Sequence, residues 1–456
     1  MRERAFAIAG TAVAGLKTDS RPSQLRGTRI RASRVPGALR AFWFDGLLTA
    51  GQDAFIAAYL PLLAVALGAS FQAVGFLVAV QNLGALLGLY PGAVAARRFR
   101  SRRRLVLWGT AVGRICLLLA AGAVALTNGA LALSLVMAAF MVRSFATTFV
   151  QPAWTTVAAE IVPNRVRARF FASRGFAVTL GMFILTPLGG LILDRAGTPN
   201  GYVISLLVSF ALGLCASALY ATIPEPRVPA AVPEQRRASL SPIAPLADPA
   251  FRKLLLSSCA TQFGALLAGP FFALYLKEQI GGSNLDVGLM SAGSLLAGLA
   301  GQVILGDLMA RRGPMSAMVV ALAMMPAVPI LWLVVDAPLL ALLPGMVGGF
   351  AWAGFNLATF QSLLELPDAE RRENGVALYH TCGFAMMFVA PFAGGLLAAR
   401  VGFAGLFAIS AAIRVAGAGA YLWRPGAGRP PAGAQSETGR PDDSPSGRAG
   451  CVISAE

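Results

Sequence analysis

Apolar residues in this chain come in long unbroken runs, separated by short stretches where arginine, glycine and proline concentrate. The runs are rich in Ala, Leu and Val and lack the two-residue alternation of barrel strands, so they predict helices. In lipid the backbone must satisfy its own polar groups, which leaves helices as the only reading. A crossing needs about 20 apolar residues. The pattern predicts twelve spans: 41–66, 71–95, 105–126, 130–154, 172–194, 200–222, 252–276, 285–308, 315–335, 338–362, 375–398 and 402–423. The predicted organisation is an N-terminal tail (1–40), a six-helix bundle (41–222), a polar Pro-rich linker (223–250), a second six-helix bundle (251–423) and a C-terminal tail (424–456). The last is rich in Gly, Pro, Ser and Arg, a disordered composition. The fold class is an all-α integral membrane protein.

Composition sharpens this reading. Of the 456 residues, 56% are hydrophobic and 13% charged, where soluble domains carry about 25% charged. The net charge of +17 would suit a nucleic-acid partner, but its placement points elsewhere. Alternate loops and tails hold 32 of the 38 Lys and Arg, and the remaining loops hold only Arg195, Lys277 and Arg400. Cytoplasmic loops carry the excess of positive charge, so both termini and the linker are predicted cytoplasmic in a multi-pass cell-membrane protein, with no nucleic acid bound. The arginine-rich loop 97–104 either contacts anionic headgroups, at about 1 kcal/mol per residue, or only sets topology. Cys116, Cys215, Cys259 and Cys382 lie in apolar runs and Cys451 in the tail, none in a metal spacing. No metal or cofactor is predicted. Residues 1–17 resemble a signal peptide, but six arginines (Arg21, Arg26, Arg29, Arg31, Arg34 and Arg40) follow before the first span, so they are read as an extension.

The two halves repeat each other. Gly68–Gly75 (GASFQAVG) aligns with Gly281–Gly288 (GGSNLDVG), and Gly84 and Gly92 align with Gly298 and Gly306. Ala96–Arg98 aligns with Ala310–Arg312, Pro187–Arg195 (PLGGLILDR) with Pro391–Arg400 (PFAGGLLAAR), and Pro163 and Arg167 with Pro367 and Arg371. A duplicated six-helix unit predicts two bundles about a pseudo-two-fold axis, with a substrate site at mid-membrane between them. Gly84, Gly88 and Gly92, at spacing four, predict close approach of the second span to a neighbour. Pro187 and Pro391 predict breaks in the fifth and eleventh spans.

Gly306-Asp307-Leu-Met-Ala-Arg311-Arg312-Gly313 resembles the loop signature of the major facilitator superfamily. The first-half copy keeps Gly92, Arg97 and Arg98 but has Ala93 where the family has an acid, which in the family helps hold one conformation of the bundle interface. Arg143 resembles the arginine of a family signature in the fourth span, with Thr147 in place of the glycine. The resemblance covers about 40–423 and implies two bundles, alternating-access transport and a gating role for these loops.

Charges within spans are costly and mark functional candidates. At 1.5 Å per residue Asp53 lies about 20 Å from the cytoplasmic end of its span and Arg143 about 20 Å from the outer end of its own, a gap of about 10 Å in depth that a long arginine side chain can narrow. In a core about 30 Å thick that is close enough in depth to pair, and in the family both spans line the central cavity. Asp53 is then a proton carrier whose affinity Arg143 sets, or the two are a structural ion pair. Asp45 is predicted to cap or to pair with an arginine, Arg114 is within its reach, and Arg414 has no evident partner. Asn82, Gln262, Asn356 and Gln361 are candidate cavity donors or interhelical hydrogen-bonders, and His380, the sole histidine, is a packing or coupling candidate. Trp43, Trp154 and Trp352 read as packing anchors. No nucleophile–base set or phosphate loop appears, so an enzyme is not predicted. The reading is a secondary transporter of a small organic molecule, proton-coupled export being favoured over uptake, with a monomer sufficient. A receptor or scaffold that kept the fold is the alternative.

Overall fold

In a computed structural model, residues 35–99, 101–224, 243–365 and 369–422 are described. The tail through 34, linker residues 225–242, the tail from 423, Pro367 and the side chain of Arg371 lie outside the described residues.

The first half contains α1 (Val35–Ala54), α2 (Leu60–Ala66), α3 (Phe71–Arg98), α4 (Arg102–Leu126), α5 (Gly129–Ile161), α6 (Asn164–Ala196) and α7 (Asn200–Ala221). The second contains α8 (Pro249–Glu278), α9 (Asn284–Arg312), α10 (Pro314–Met324), α11 (Ala327–Val334), α12 (Leu342–Leu364) and α13 (Ala369–Leu422), with 3-10 turns at Ala244–Ala247 and Pro338–Ala341. Ten helical segments among the described residues are long and apolar enough to cross a membrane. Two further crossings bring the total to twelve. One is made by α1 and α2 together, and the other arises because α13 reverses at Gly402, where φ is +66°. Side chains such as Leu126, Trp108 and Val303 are 85%, 74% and 73% exposed, an outer surface suited to lipid.

Local chemistry sets the ends. Ser70 and Ser101 cap α3 and α4 by accepting from the amides of Ala73 (3.3 Å) and Arg104 (3.2 Å). Gly197 and Gly313 end α6 and α9 at φ +69° and +79°.

Two breaks fall where prolines remove backbone donors. The first crossing is interrupted over 55–59, just before Pro61 in the first turn of α2. The ninth breaks between α10 and α11 at Met325–Pro326. The breaks expected at Pro187 and Pro391 are absent: α6 and α13 run through both prolines. A helix accommodates an internal proline when its neighbours hold the adjoining turns, and here both prolines lie at the seam between halves.

The glycine spacing works as predicted. A Cβ on Gly84, Gly88 or Gly92 of α3 would meet the carbonyl oxygens of Met141, Phe145 and Phe149 on α5. In the second half, Gly301 of α9 lies against Phe350 of α12, and Gly349 of α12 against Ser294. Matching helix pairs thus meet through glycines in both halves, but by different ones: of the repeat counterparts, a Cβ on Gly298 would stand 3.4 Å from the Gly349 carbonyl and one on Gly306 would face only the Leu357 side chain. Dispersion and not water release drives such association.

Candidate functional site

Between the halves lies a cavity of about 500 Å³. Its wall is mostly apolar, with Met182, Phe272, Met290 and Trp332, and its polar groups are Gln81, Thr186, Ser291 and Ser294. No charged side chain lines it among the described residues. Phe272 stacks on Trp332 with ring centroids 5.3 Å apart and an interplanar angle of 8°.

Of the polar residues read as cavity donors or interhelical hydrogen-bonders, Asn82 and Gln262 take the second role. Asn82, one residue from the cavity-lining Gln81, donates to the carbonyl of Met387 across the seam at 2.7 Å. Gln262 donates to the Tyr379 hydroxyl at 2.9 Å. Gln361 is half-buried, and Asn356 and His380 are exposed, His380 lying edge-on to Tyr379. None of these five lines the cavity.

The embedded charges gather inside the first half, around a second cavity of about 200 Å³ walled by α1, α4, α5, α6 and α7. Arg143 Nη2 donates to Asp53 Oδ1 at 2.5 Å, the pairing that depth and the family resemblance together left open. Asp53 closes α1 at the break, so its side chain is 44% exposed while that of Arg143 is 12% exposed. Gln52 Nε2 also approaches Asp53 Oδ1, at 3.4 Å. Asp45 pairs with Arg174 at 3.7 Å. Arg174 lies over the rings of Phe42 (5.0 Å) and Trp154 (5.1 Å) and donates from Nε to the Phe42 carbonyl at 3.2 Å. Arg174 thus takes the place beside Asp45 that sequence left open to Arg114. Trp43 donates to the Ser173 hydroxyl at 3.2 Å, a packing role like that of Trp154.

The halves meet at the end away from the arginine-rich loops. Asp194, at the end of α6, accepts from the amides of Asn284 (3.0 Å) and Leu285 (2.8 Å) and from Asn284 Nδ2 (2.7 Å). These amides open α9, whose first turn is otherwise completed by its own capping box of Ser283 and Asp286. The Tyr59 hydroxyl donates to the Thr186 carbonyl at 2.5 Å, and a Cβ on Gly288 would meet Tyr59 and Pro187. Gly75 lies against Pro391 and Gly395 in the same way, so the repeated Pro and Gly-Gly runs form the seam. Sequence exposed the repeat but not the role of Asp194, which has Ala399 at its place in the second copy.

At the opposite end, Arg311 Nε donates to Asp307 Oδ1 (3.1 Å) in the same turn of α9, with both residues and Arg312 exposed. Arg97 and Arg98 sit exposed in the last turn of α3, where cations favour the helix dipole. Arg102 pairs with Glu160 at 2.6 Å, and Arg103 donates to the carbonyls of Ala221 (3.2 Å) and Ile223 (2.8 Å). Part of the arginine-rich loop therefore ties the first half together.

The sequence model of the Major Facilitator Superfamily matches residues 42–363 and, in a second register, 254–445. The chain belongs to this superfamily. No curated protein matches it by sequence. Among solved structures, this superfamily member is similar to a bacterial homologue of the iron transporter ferroportin in its inward-facing state, with TM-score 0.70 and 16% identity over 86% of this chain and 99% of that one. The nucleoside transporter NupG gives TM-score 0.65 and 15% identity, over 84% and 98%. A bacterial homologue of the human lysosomal transporter Spinster, inward-facing and unoccupied, gives 0.62 and 16%, over 87% and 100%. At these identities the likeness is one of fold: the superfamily's transporter fold, with its two six-helix bundles.

Proposed function

We propose that this chain exports a small amphipathic organic molecule by alternating access, driven by protons entering through Asp53. The observation that carries the reading is the Asp53–Arg143 ion pair at the break of the first crossing. Asp53 is adjacent in sequence to Ala54, which lines the central cavity. A proton on Asp53 cancels the negative partner of Arg143 and frees its guanidinium, so protonation and the shape of the cavity wall are linked. A cavity of about 500 Å³ without charged side chains suits an apolar or amphipathic cargo, with Gln81, Ser291 and Ser294 to orient it.

The positive-inside rule places the arginine-rich loops and both termini in the cytoplasm of a cell-membrane protein. On that orientation the Asp194 seam closes the outer end, and the arrangement corresponds to the inward-facing state. Transport then requires the seam to part as the cytoplasmic ends approach, with the loop residues Gly92, Arg97, Arg98, Gly306, Asp307, Arg311, Arg312 and Gly313 at that inner contact. A monomer contains all of these parts.

The test is flux in proteoliposomes of known orientation. Wild type is expected to move lipophilic dyes outward only with an inward proton gradient. Asp53→Asn should abolish the gradient-driven component while leaving dye exchange at equilibrium intact. Gradient-driven flux that survives in Asp53→Asn with an unchanged pH profile would overturn the coupling role.

A further inference from the structure

The polar cavity of the first half holds three guanidinium groups and two carboxylates. Asp53 takes Arg143 and Asp45 takes Arg174. Arg114, on α4, is left over. It is 6% exposed, and its Nε and Nη1 have no hydrogen-bond partner among the described residues. Gln52, 8% exposed, leaves its Oε1 without a donor. A guanidinium stays protonated under ordinary conditions, so this charge cannot be shed. Asp45 and Asp53 act on it only from a distance, and burying it without a contact ion pair or its full set of hydrogen bonds is unfavourable. The surrounding structure nevertheless keeps space for it. Opposite, on α7, residue 213 is glycine, and a Cβ there would press on Arg114 Nε at 2.7 Å and on Gln52 Oε1. The hydroxyl-bearing Thr49 and Ser217 line the same cavity. Its volume of about 200 Å³ exceeds the roughly 30 Å³ share of one water several-fold, enough for a carboxylate or phosphate group.

We propose that this cavity is a binding site for an oxyanion, a carboxylate or phosphate group, held by the Arg114 guanidinium that lines it. Guanidinium is suited to such a partner because its planar fork of N–H donors matches two oxygens at once. The anion completes the charge balance of the cavity and the hydrogen bonding of Arg114 together. It has two possible sources: a free anion from solution, or an acidic group on the cargo. The second rests on the transport reading above, with Asp53 and Ala54 as the step between the two cavities; the first stands without it.

Thermal unfolding of the purified full chain tests the site with no proton gradient present. At constant ionic strength, chloride is replaced stepwise by phosphate or by acetate. Wild type is expected to show a saturable rise in Tm. Arg114→Gln should weaken the apparent affinity by about tenfold or more, the loss of a charged hydrogen-bond partner. The variant Arg400→Gln, at an exposed residue away from both cavities, should titrate as wild type. Gln52→Glu places a carboxylate within reach of Arg114, so it should abolish the anion dependence; its second oxygen falls beside Asp53, so no rise in Tm is expected from it. That variant decides the matter even if Arg114→Gln does not fold. A non-saturating rise, shared equally by wild type and Gln52→Glu, would overturn the proposal.

A second arm separates the sources. An amphipathic carboxylic acid is compared with its amide. Protection by the acid well above that of acetate, absent for the amide and dependent on Arg114, assigns the site to cargo. Equal protection by the acid and by acetate assigns it to the free anion.

Discussion

Replacing Asp194 by alanine should shift the balance between conformations without weakening the fold. The geometry explains why the two effects separate. Within α9, the Ser283 amide is held by Asp286 at 2.8 Å and the Asp286 amide by the Ser283 hydroxyl at 3.1 Å. These caps lie in one half and persist in any arrangement of the two. The amides of Asn284 and Leu285 are held by Asp194 from the other half, and only while the seam is closed. When it opens, water takes its place. A carboxylate at an exposed helix N-terminus contributes about 0.3–1 kcal/mol through the dipole, and a capping hydrogen bond about 0.5–2 kcal/mol. Asp194 is exposed, so water competition keeps the sum near 1–2 kcal/mol, a factor of about 5–30 in population. An open-seam state at about 1% would rise to roughly 5–20%. Spin labels on L126C and L339C, both exposed, in opposite halves and at the ends of their crossings away from the arginine-rich loop, report the change by pulsed dipolar spectroscopy. Asp194→Ala should add a long-distance component, and Asp194→Asn, which keeps one acceptor oxygen, a smaller one. An unchanged distance distribution accompanied by a lower Tm would refute the reasoning and make Asp194 a plain structural cap.

Two further predictions concern packing. Gly88→Ala puts a Cβ at 2.5 Å from the Phe145 carbonyl oxygen and 3.1 Å from the Phe149 amide nitrogen. It should cost about 1–3 kcal/mol by overpacking, read as a lower Tm, whereas Gly122→Ala, with nothing within 4 Å, should be silent. Arg414 is 3% exposed and donates to the Met325 carbonyl at 2.9 Å. That carbonyl is available because Pro329, four residues on, has no N–H to offer it. Arg414→Ala strands the carbonyl and leaves a void, and should cost about 2–5 kcal/mol of stability while leaving the pH profile of transport in surviving protein unchanged.

What sequence disclosed and what it withheld divide along a physical line. Depth in the membrane is linear in residue number, because a helix rises at a fixed rate, so the crossings and the rough nearness in depth of Asp53 and Arg143 were legible. Azimuth around a helix is far less so. Asn82 and Gln81 differ by one residue, yet Gln81 lines the central cavity and Asn82 ties the seam. For the same reason Arg174, and not Arg114, is the arginine paired with Asp45. Contacts between the halves lie further still from the local pattern. Asp194 reaches α9 only through the way two bundles are set against each other, and no periodicity in α6 encodes that. Prolines misled in one direction: Pro187 and Pro391 are carried inside continuous helices, while the first and ninth crossings, read as continuous, are broken.

Duplication supplies a way to separate packing from chemistry in this chain. Features present in both copies, the glycines of α3 and α9 and the prolines of α6 and α13, bring backbones together within a bundle or across the seam. They answer a requirement both halves share. The embedded charges are not shared. Asp45, Asp53, Arg114, Arg143 and Arg174 gather in the first half, while Arg414 in the second is spent on backbone carbonyls. An ionisable group in lipid is costly wherever it sits, so a structural need common to the two bundles would have placed one in each. The one-sided charge is what the proposed coupling through Asp53 requires of the first half. The second half adds to the central cavity aromatic and hydroxyl groups, Phe272, Trp332, Ser291 and Ser294, which shape it without charge.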